Sequence, residues 1–282
     1  MSNVRVVDAP LQEIRAASTA SGGTALNTIA ALISLPIGAD WISVTPRNFV
    51  GAAVARVAIN PWLTIVRTAD LLLSEGTDFS SEAQDGDTTV FSAFLDTLAN
   101  GDAYYIGSWL PFRGVAVDVT TVNSVGAVTL LCEYWNGGTW VTLSATDGTI
   151  SGGTTLAVDG NVTWTVPAAW AKSSLRSNIA VTASAATFDG WAVKTPYVAD
   201  LYWTRWTVDV AITAGATFAQ LRPLNRSTAY AELTLGQPFT ESFPSPVGAG
   251  NSFSCVEALT DAGTANLIVN AATRFSAERG AF

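Results

Sequence analysis

The chain has 282 residues, 49% of them apolar and 13% charged, enough apolar mass for a large core and too little charge for wholesale disorder. Its 14 Lys and Arg against 23 Asp and Glu give a formal charge of -9, which opposes binding to a phosphate backbone, so no nucleic-acid partner is expected. Histidine is absent, which removes Ser-His-Asp and Cys-His catalysis and any imidazole-held metal.

Two cysteines, Cys132 and Cys255, are too few for a four-thiolate metal site or a disulfide framework, and both are expected buried and reduced. No apolar run approaches the roughly 18 residues of a membrane span. The opening Met1-Ser2-Asn3-Val4-Arg5 lacks a secretory apolar region, so a soluble protein made in a cytoplasm is expected, without membrane contact. A positive mean hydropathy without a span points either to apolar surface covered by partner chains or to a large β core.

In chain order, residues 1–35 read as an extended N-terminal arm with a small-residue stretch and room for a short helix over Leu11 to Ala17; Val4, Val6 and Leu11 are its candidate contacts. Residues 36–100 form a β-rich segment with strands at Trp41–Thr45, Val54–Ile59 and Leu63–Arg67. An acidic loop from Ser74 to Asp102 follows, with a short strand near Thr89 to Phe94. Eight of the ten tryptophans fall between Trp109 and Trp206 amid two-residue alternation, which defines a Trp-rich sandwich over 101–215. Its expected strands are Tyr104–Gly107, Val115–Val119, Val128–Tyr134, Trp140–Ser144, Asn161–Thr165, Thr187–Val193 and Tyr202–Thr213. Residues 216–282 supply strands at Phe218–Arg222, Ala229–Leu235, Ser252–Leu259 and Ala265–Ala271, which could pack with 36–100 and make the central domain an insertion. The fold class predicted is all-β: a β-sandwich or jelly roll with added strands from both terminal segments.

The sharpest local motif is Glu133-Tyr134-Trp135-Asn136-Gly137-Gly138-Thr139-Trp140, where Asn-Gly and Gly-Gly supply a hairpin turn between aromatic strands. Asp147-Gly148-Thr149 marks another turn, and Pro167 to Lys172 reads as a turn that plugs the aromatic side. The order PFRG, EYWNGGTW, DGT, VTWTVPAAW, LYWTRWTV, from about Gly101 to Thr213, resembles a β-sandwich module recurrent in structural proteins of tailed-bacteriophage particles. The resemblance implies a non-catalytic virion component, of the kind that decorates a capsid or forms part of a tail or fibre, without identifying which; a capsid decoration or cement protein is the expected role, a tail or fibre part the alternative. It would act by adhesion to the major capsid protein or tail proteins and form a homo-oligomer whose location is the virion.

The residues leave other chemistry open. Trp109, Trp135 and Trp191, near loops, are the candidate exposed contacts, and a host-surface glycan is an alternative partner for them; the other indoles are expected in the core. Asp85 and Asp87, with Asp78 or Glu82, could offer oxygen ligands to calcium, but the spacing matches no EF-hand and a solvated loop is the simpler reading. Carboxylate-dependent hydrolysis has no pair of fixed separation behind it. No cofactor, metal or catalytic residue is therefore expected. Arg113 and Arg205 stand in apolar surroundings where ring stacking or a carboxylate partner would hold them, and Arg47, Arg56 and Arg67 could face an acidic neighbour at an interface, an exposed face being the simpler reading. Asn161 and Asn225 match the glycosylation pattern without a secretory signal and are read as coincidence.

Overall fold

The computed structural model describes residues 22–51, 54–68, 76–84, 95, 103–175, 199–224, 231–243, 245, 247–248 and 252–273, and the strand backbone at 12–14 and 91–92. Their regular elements are strands in four antiparallel sheets. Strand β4 (Trp41–Val50) shows the cause: Ile42, Val44 and Pro46 are buried while Trp41, Ser43 and Thr45 are half-buried, the period-2 pattern of a strand with one face on a core. It pairs with β21 (Thr264–Thr273) and β19 (Phe239–Ser242), and β21 also carries β1 (Gln12–Ile14) and β2 (Thr24–Leu26). The facing sheet runs β18 (Ala231–Leu233), β5 (Ala55–Pro61), β20 (Phe253–Thr260), β3 (Ala31–Ser34). Leu26, Ile42, Val44, Val57, Val256 and Leu267 fill the space between them.

At Trp62 the chain leaves this sandwich. Strand β6 (Leu63–Thr68) enters a sheet ordered β12 (Trp140–Thr142), β11 (Leu130–Trp135), β16 (Leu201–Val208), β9 (Ala103–Ser108), β6, β7 (Gly76–Asp78), with β15 (Lys172–Ser173) on β16. The opposing sheet is β13 (Thr146–Asp147), β14 (Gly160–Thr163), β10 (Gly114–Thr121), β17 (Thr217–Leu224), β8 (Phe91–Ser92). Ile106, Val117, Cys132, Val162, Trp206 and Phe218 pack between the two. Trp170, in the turn after Pro167, lies 5.2 Å from the Phe112 ring and donates its indole N–H to Trp203 O, so the plug is aromatic and its polar edge is satisfied. All six residues of β9 are buried, Tyr104 and Ile106 in this core and Ala103 and Tyr105 in a second apolar layer with Trp135, Leu201 and Trp203. A central strand covered on both faces needs no polar alternation.

The second sandwich thus interrupts the first, whose strands lie before Trp62 and after Leu224. Buried polar bonds fix the junction. Asn60 Nδ2 donates to Pro223 O and to Glu257 Oε2, both at 2.8 Å, and Arg222 bonds Leu32 O at 3.1 Å and Asp118 Oδ2 at 2.9 Å. Trp109 Nε1 reaches Ser252 O at 2.7 Å.

The all-β expectation holds, in sandwich form; the strand orders do not establish a jelly roll. Several boundaries differ. The arm assigned to 1–35 includes three strands, β1, β2 and β3; β2 and β3 bury Leu26 and Ile33 and draw their order from ladders to β21 and β20. Gln12–Ile14 is extended on β21, so a helix does not run through Leu11 to Ala17. The segment 36–100 is divided between the two sandwiches, because β6 pairs with β9, and the second sandwich continues through Leu224 rather than ending at 215. Strand β16 stops at Val208, where Asp209 turns the chain. The strand expected at Thr187–Val193 lies outside the described residues, as do arm positions Val4, Val6 and Leu11.

Candidate interaction surface

Three connections, 122–129, 148–159 and 209–216, close the end of the second sandwich remote from Trp62 and Leu224, because Thr121 pairs with Thr217, Leu130 with Val208, and Val117 with Gly160. Asn123, only 2% exposed, ties all three together. Its Nδ2 donates to Thr155 O (3.1 Å), and its Oδ1 accepts from Val125 N (3.0 Å), Thr213 N (3.0 Å) and Thr213 Oγ1 (3.1 Å). Thr213 Oγ1 in turn accepts from Ser124 N at 2.8 Å.

A second knot forms around Asp147. Its carboxylate accepts from Thr149 N (2.8 Å), Thr149 Oγ1 (2.6 Å) and Thr155 Oγ1, and Thr149 Oγ1 accepts from Leu156 N (2.9 Å). This is the turn that Asp147-Gly148-Thr149 announces, since an Asx side chain bonds the backbone two residues on. Leu156 (φ 56) and Ala127 (φ 58) hold left-handed conformations that side chains rarely adopt. Each is locked by a threonine hydroxyl, Leu156 N by Thr149 and Ala127 N by Thr154 Oγ1 at 3.1 Å. Such strain persists only where neighbouring contacts over-determine the backbone.

The polar groups of these loops are spent inward, while aliphatic groups point outward. Val122 (45%), Ile150 (49%), Val158 (39%) and Val210 (43%) are exposed on the same three connections. Among the described residues, the other large exposed aliphatics lie on β11 (Leu131) or on the first sandwich (Ile29, Ile37, Val50, Leu235). The rim is acidic: Asp159 accepts from Val119 N and Asp209 from Thr129 N, and no Lys or Arg occurs from 114 to 171 or from 206 to 221. The Thr129 N–H holds the Asp209 carboxyl below its ordinary range, so this charge persists at mildly acidic pH.

The candidates named from sequence fare differently. Trp135 is 7% exposed and packs edge-on against its cross-strand partner Trp140 at 5.6 Å, so the hairpin that brings it near a turn also lays its ring on the apolar layer outside β9; its exposure is corrected. Trp109 is half-buried and bridges the sandwiches, its ring 5.5 Å from Phe253. Trp191 lies outside the described residues, as do Asp85 and Asp87. Asp78 Oδ1 is committed to Ser80 N and Ser80 Oγ, and among the described residues no three His, Cys, Asp or Glu gather around a point. Gln84, at the other end of that turn, bonds both Leu63 N (2.9 Å) and Leu63 O (2.7 Å), so this stretch covers the start of β6 as a paired strand would. Arg205 stacks 5.0 Å over Trp140 and bonds Glu133 at 2.7 Å, the ring and carboxylate its surroundings suggested, while Arg56 lies on an exposed face and pairs with Glu232 of the same chain at 3.2 Å. Both cysteines are free and buried.

Sequence reasoning missed the Asn123 hub. Asn-x-Val carries no distinctive signal, and its partners are 32 and 90 residues away. Set against family models, curated proteins and solved structures, the chain matches none.

Proposed function

We propose that this protein is a non-enzymatic structural component of a tailed-phage particle, of the decoration or cement kind, which grips a neighbouring subunit with the distal loops of its second sandwich. The motif order from PFRG to LYWTRWTV supports the particle assignment. The observation that carries the adhesive role is the loop end itself: three connections locked by Asn123 and Asp147 with Val122, Ile150, Val158 and Val210 turned outward.

The lock matters because ordering a side chain on binding costs about 0.5–1.5 kcal/mol, and here that ordering precedes contact. Covering four half-exposed aliphatics contributes on the order of 4 kcal/mol gross. Alone that corresponds to about millimolar affinity, so repeated copies on one particle must supply the remainder through avidity. The acidic rim suits a basic neighbour and disfavours a wrong one.

The test is co-sedimentation of purified protein with particles lacking it, with Val122→Asp/Val210→Asp beside the wild type, and imaging of the decorated particles. Exposed sites keep the variant folded, and loss of particle binding is expected. Wild-type occupancy by the variant would overturn the role of this surface. Density on the tail alone would replace the decoration reading with that of a tail part.

A further inference from the structure

Where the two sandwiches meet, a cleft of 450 Å³ opens between the β13–β14 edge of one and strand β20 of the other. Its walls cannot readily part, because the Asn60–Pro223 and Arg222–Leu32 bonds cross the same junction. Arg113, Ser144, Thr146, Asn161, Thr163 and Thr165 line it, and no hydrogen bond joins their side chains to another described residue. The distal loops present the opposite case, with nearly every polar side chain committed internally.

The layout is regular. Thr146 stands directly opposite Thr163 on paired strands, and Asn161, Thr163 and Thr165 share one face of the chain at two-residue spacing. Such groups repeat about 6.6 Å along a strand and lie about 5 Å apart across it. Glu257, 4% exposed and held at Oε2 by Asn60, contributes a carboxylate from the first sandwich.

We infer that this cleft binds a saccharide. The lining decides the class. One guanidinium against one carboxylate gives no field for a polyanion, and a chain of -9 opposes nucleic acid. One carboxylate among hydroxyls is too little for a bound cation. Apolar cover comes only from Ala30, Leu224 and the nearly buried Trp164, too little for an apolar ligand. Hydroxyl and amide side chains donate and accept at once, as sugar hydroxyls do, so a polyol can satisfy the grid in both directions. Arg113, on the exposed rim, is placed to favour a sugar acid over a neutral sugar. The inference is independent of the particle role, since it uses neither the distal loops nor the motif order.

The probes are N-acetylglucosamine, galactose and glucuronate, tested with the full chain by saturation-transfer NMR and titration calorimetry. At least one should bind at millimolar concentration, with Asn161→Ala and Thr165→Ala each weakening it roughly two- to tenfold. Arg113→Gln should weaken glucuronate most. Ser144→Ala, also exposed, serves as the second readout where another variant fails to fold. Absence of binding by all three probes, or binding unchanged by every cleft variant, would overturn the inference.

Discussion

Replacing Asn123 with alanine removes four side-chain hydrogen bonds at once and leaves Thr155 O, Val125 N and Thr213 N to find other partners. At a site 2% exposed, water enters only by opening the loops. With a net value of about 1 kcal/mol per bond, less what partial rehydration returns, the expected loss is about 3 kcal/mol, a large share of a stability that typically lies near 5–15 kcal/mol. For a chain of this size the urea slope lies near the upper end of about 3 kcal/mol per molar, so the unfolding midpoint should fall by roughly 1 M. Fluorescence of Trp164, Trp170 and Trp206, all in the core of the second sandwich, reports that transition. Hydrogen exchange should accelerate at Val125 and Thr213, whose amides Asn123 accepts. A double-mutant cycle with Thr213→Val isolates the shared bond: the two changes should fall short of additivity by about 1 kcal/mol. A midpoint unmoved in Asn123→Ala, or strict additivity with Thr213→Val, would refute the hub. On the proposed adhesive role, binding to particles should weaken as well, because the aliphatic tips then meet their ordering cost on contact.

Gly107 sits beneath the Trp203 ring, and a Cβ there would lie 2.5 Å from Cε3, so Gly107→Ala should cost about 1–3 kcal/mol by overpacking, seen as a lower Tm; an unchanged Tm would show that the indole moves aside freely. Burial raises the Cys255 thiol from its ordinary 9.0 to about 12. The unfolded chain therefore loses this proton first, so the stability present below pH 9 should fall between about pH 9 and 12 by up to about 1.4 kcal/mol per pH unit for this group. That alkaline slope should be shallower in Cys255→Ala, and equal slopes in urea titrations would refute the burial argument.

The strands that sequence displayed best were those with strong alternation and β-branched or aromatic residues, such as Trp41 to Thr45 and Tyr202 to Val208. Pro61, beyond the expected end of the strand at Ile59, closes β5, and Trp62 carries the chain directly into β6 in another sheet. Local patterning marks strand content and says little about which sheet a strand joins. Strands β2 and β3 escaped because runs of three or four residues are too short to show a periodicity, and their order comes from the ladders of β21 and β20 more than 200 residues later. The indoles were legible as core in aggregate, yet Trp135 was misplaced because nearness to a turn was read as exposure. The cleft was illegible for a different reason: Ser144, Thr146 and Asn161 look like ordinary solvated positions until Glu257 arrives from the far end of the chain.

The junction bears on whether the second sandwich can move relative to the first, and hence on the proposed adhesive role. Two chain crossings, one at Trp62 and one after Leu224, would by themselves define a hinge about which the second sandwich could swing. Asn60, Arg222 and Trp109 bond across that line from three different strands or turns, and all three side chains reach main-chain carbonyls that no rotamer change can move. A swing would break all three at once and leave their donors and carbonyls unpaired away from water. The cost rises in one step rather than gradually, so the distal loops keep one orientation relative to the first sandwich. Force applied at Val122 or Val210 would then pass first to the sheet containing β5, β20 and β3, where those bonds end.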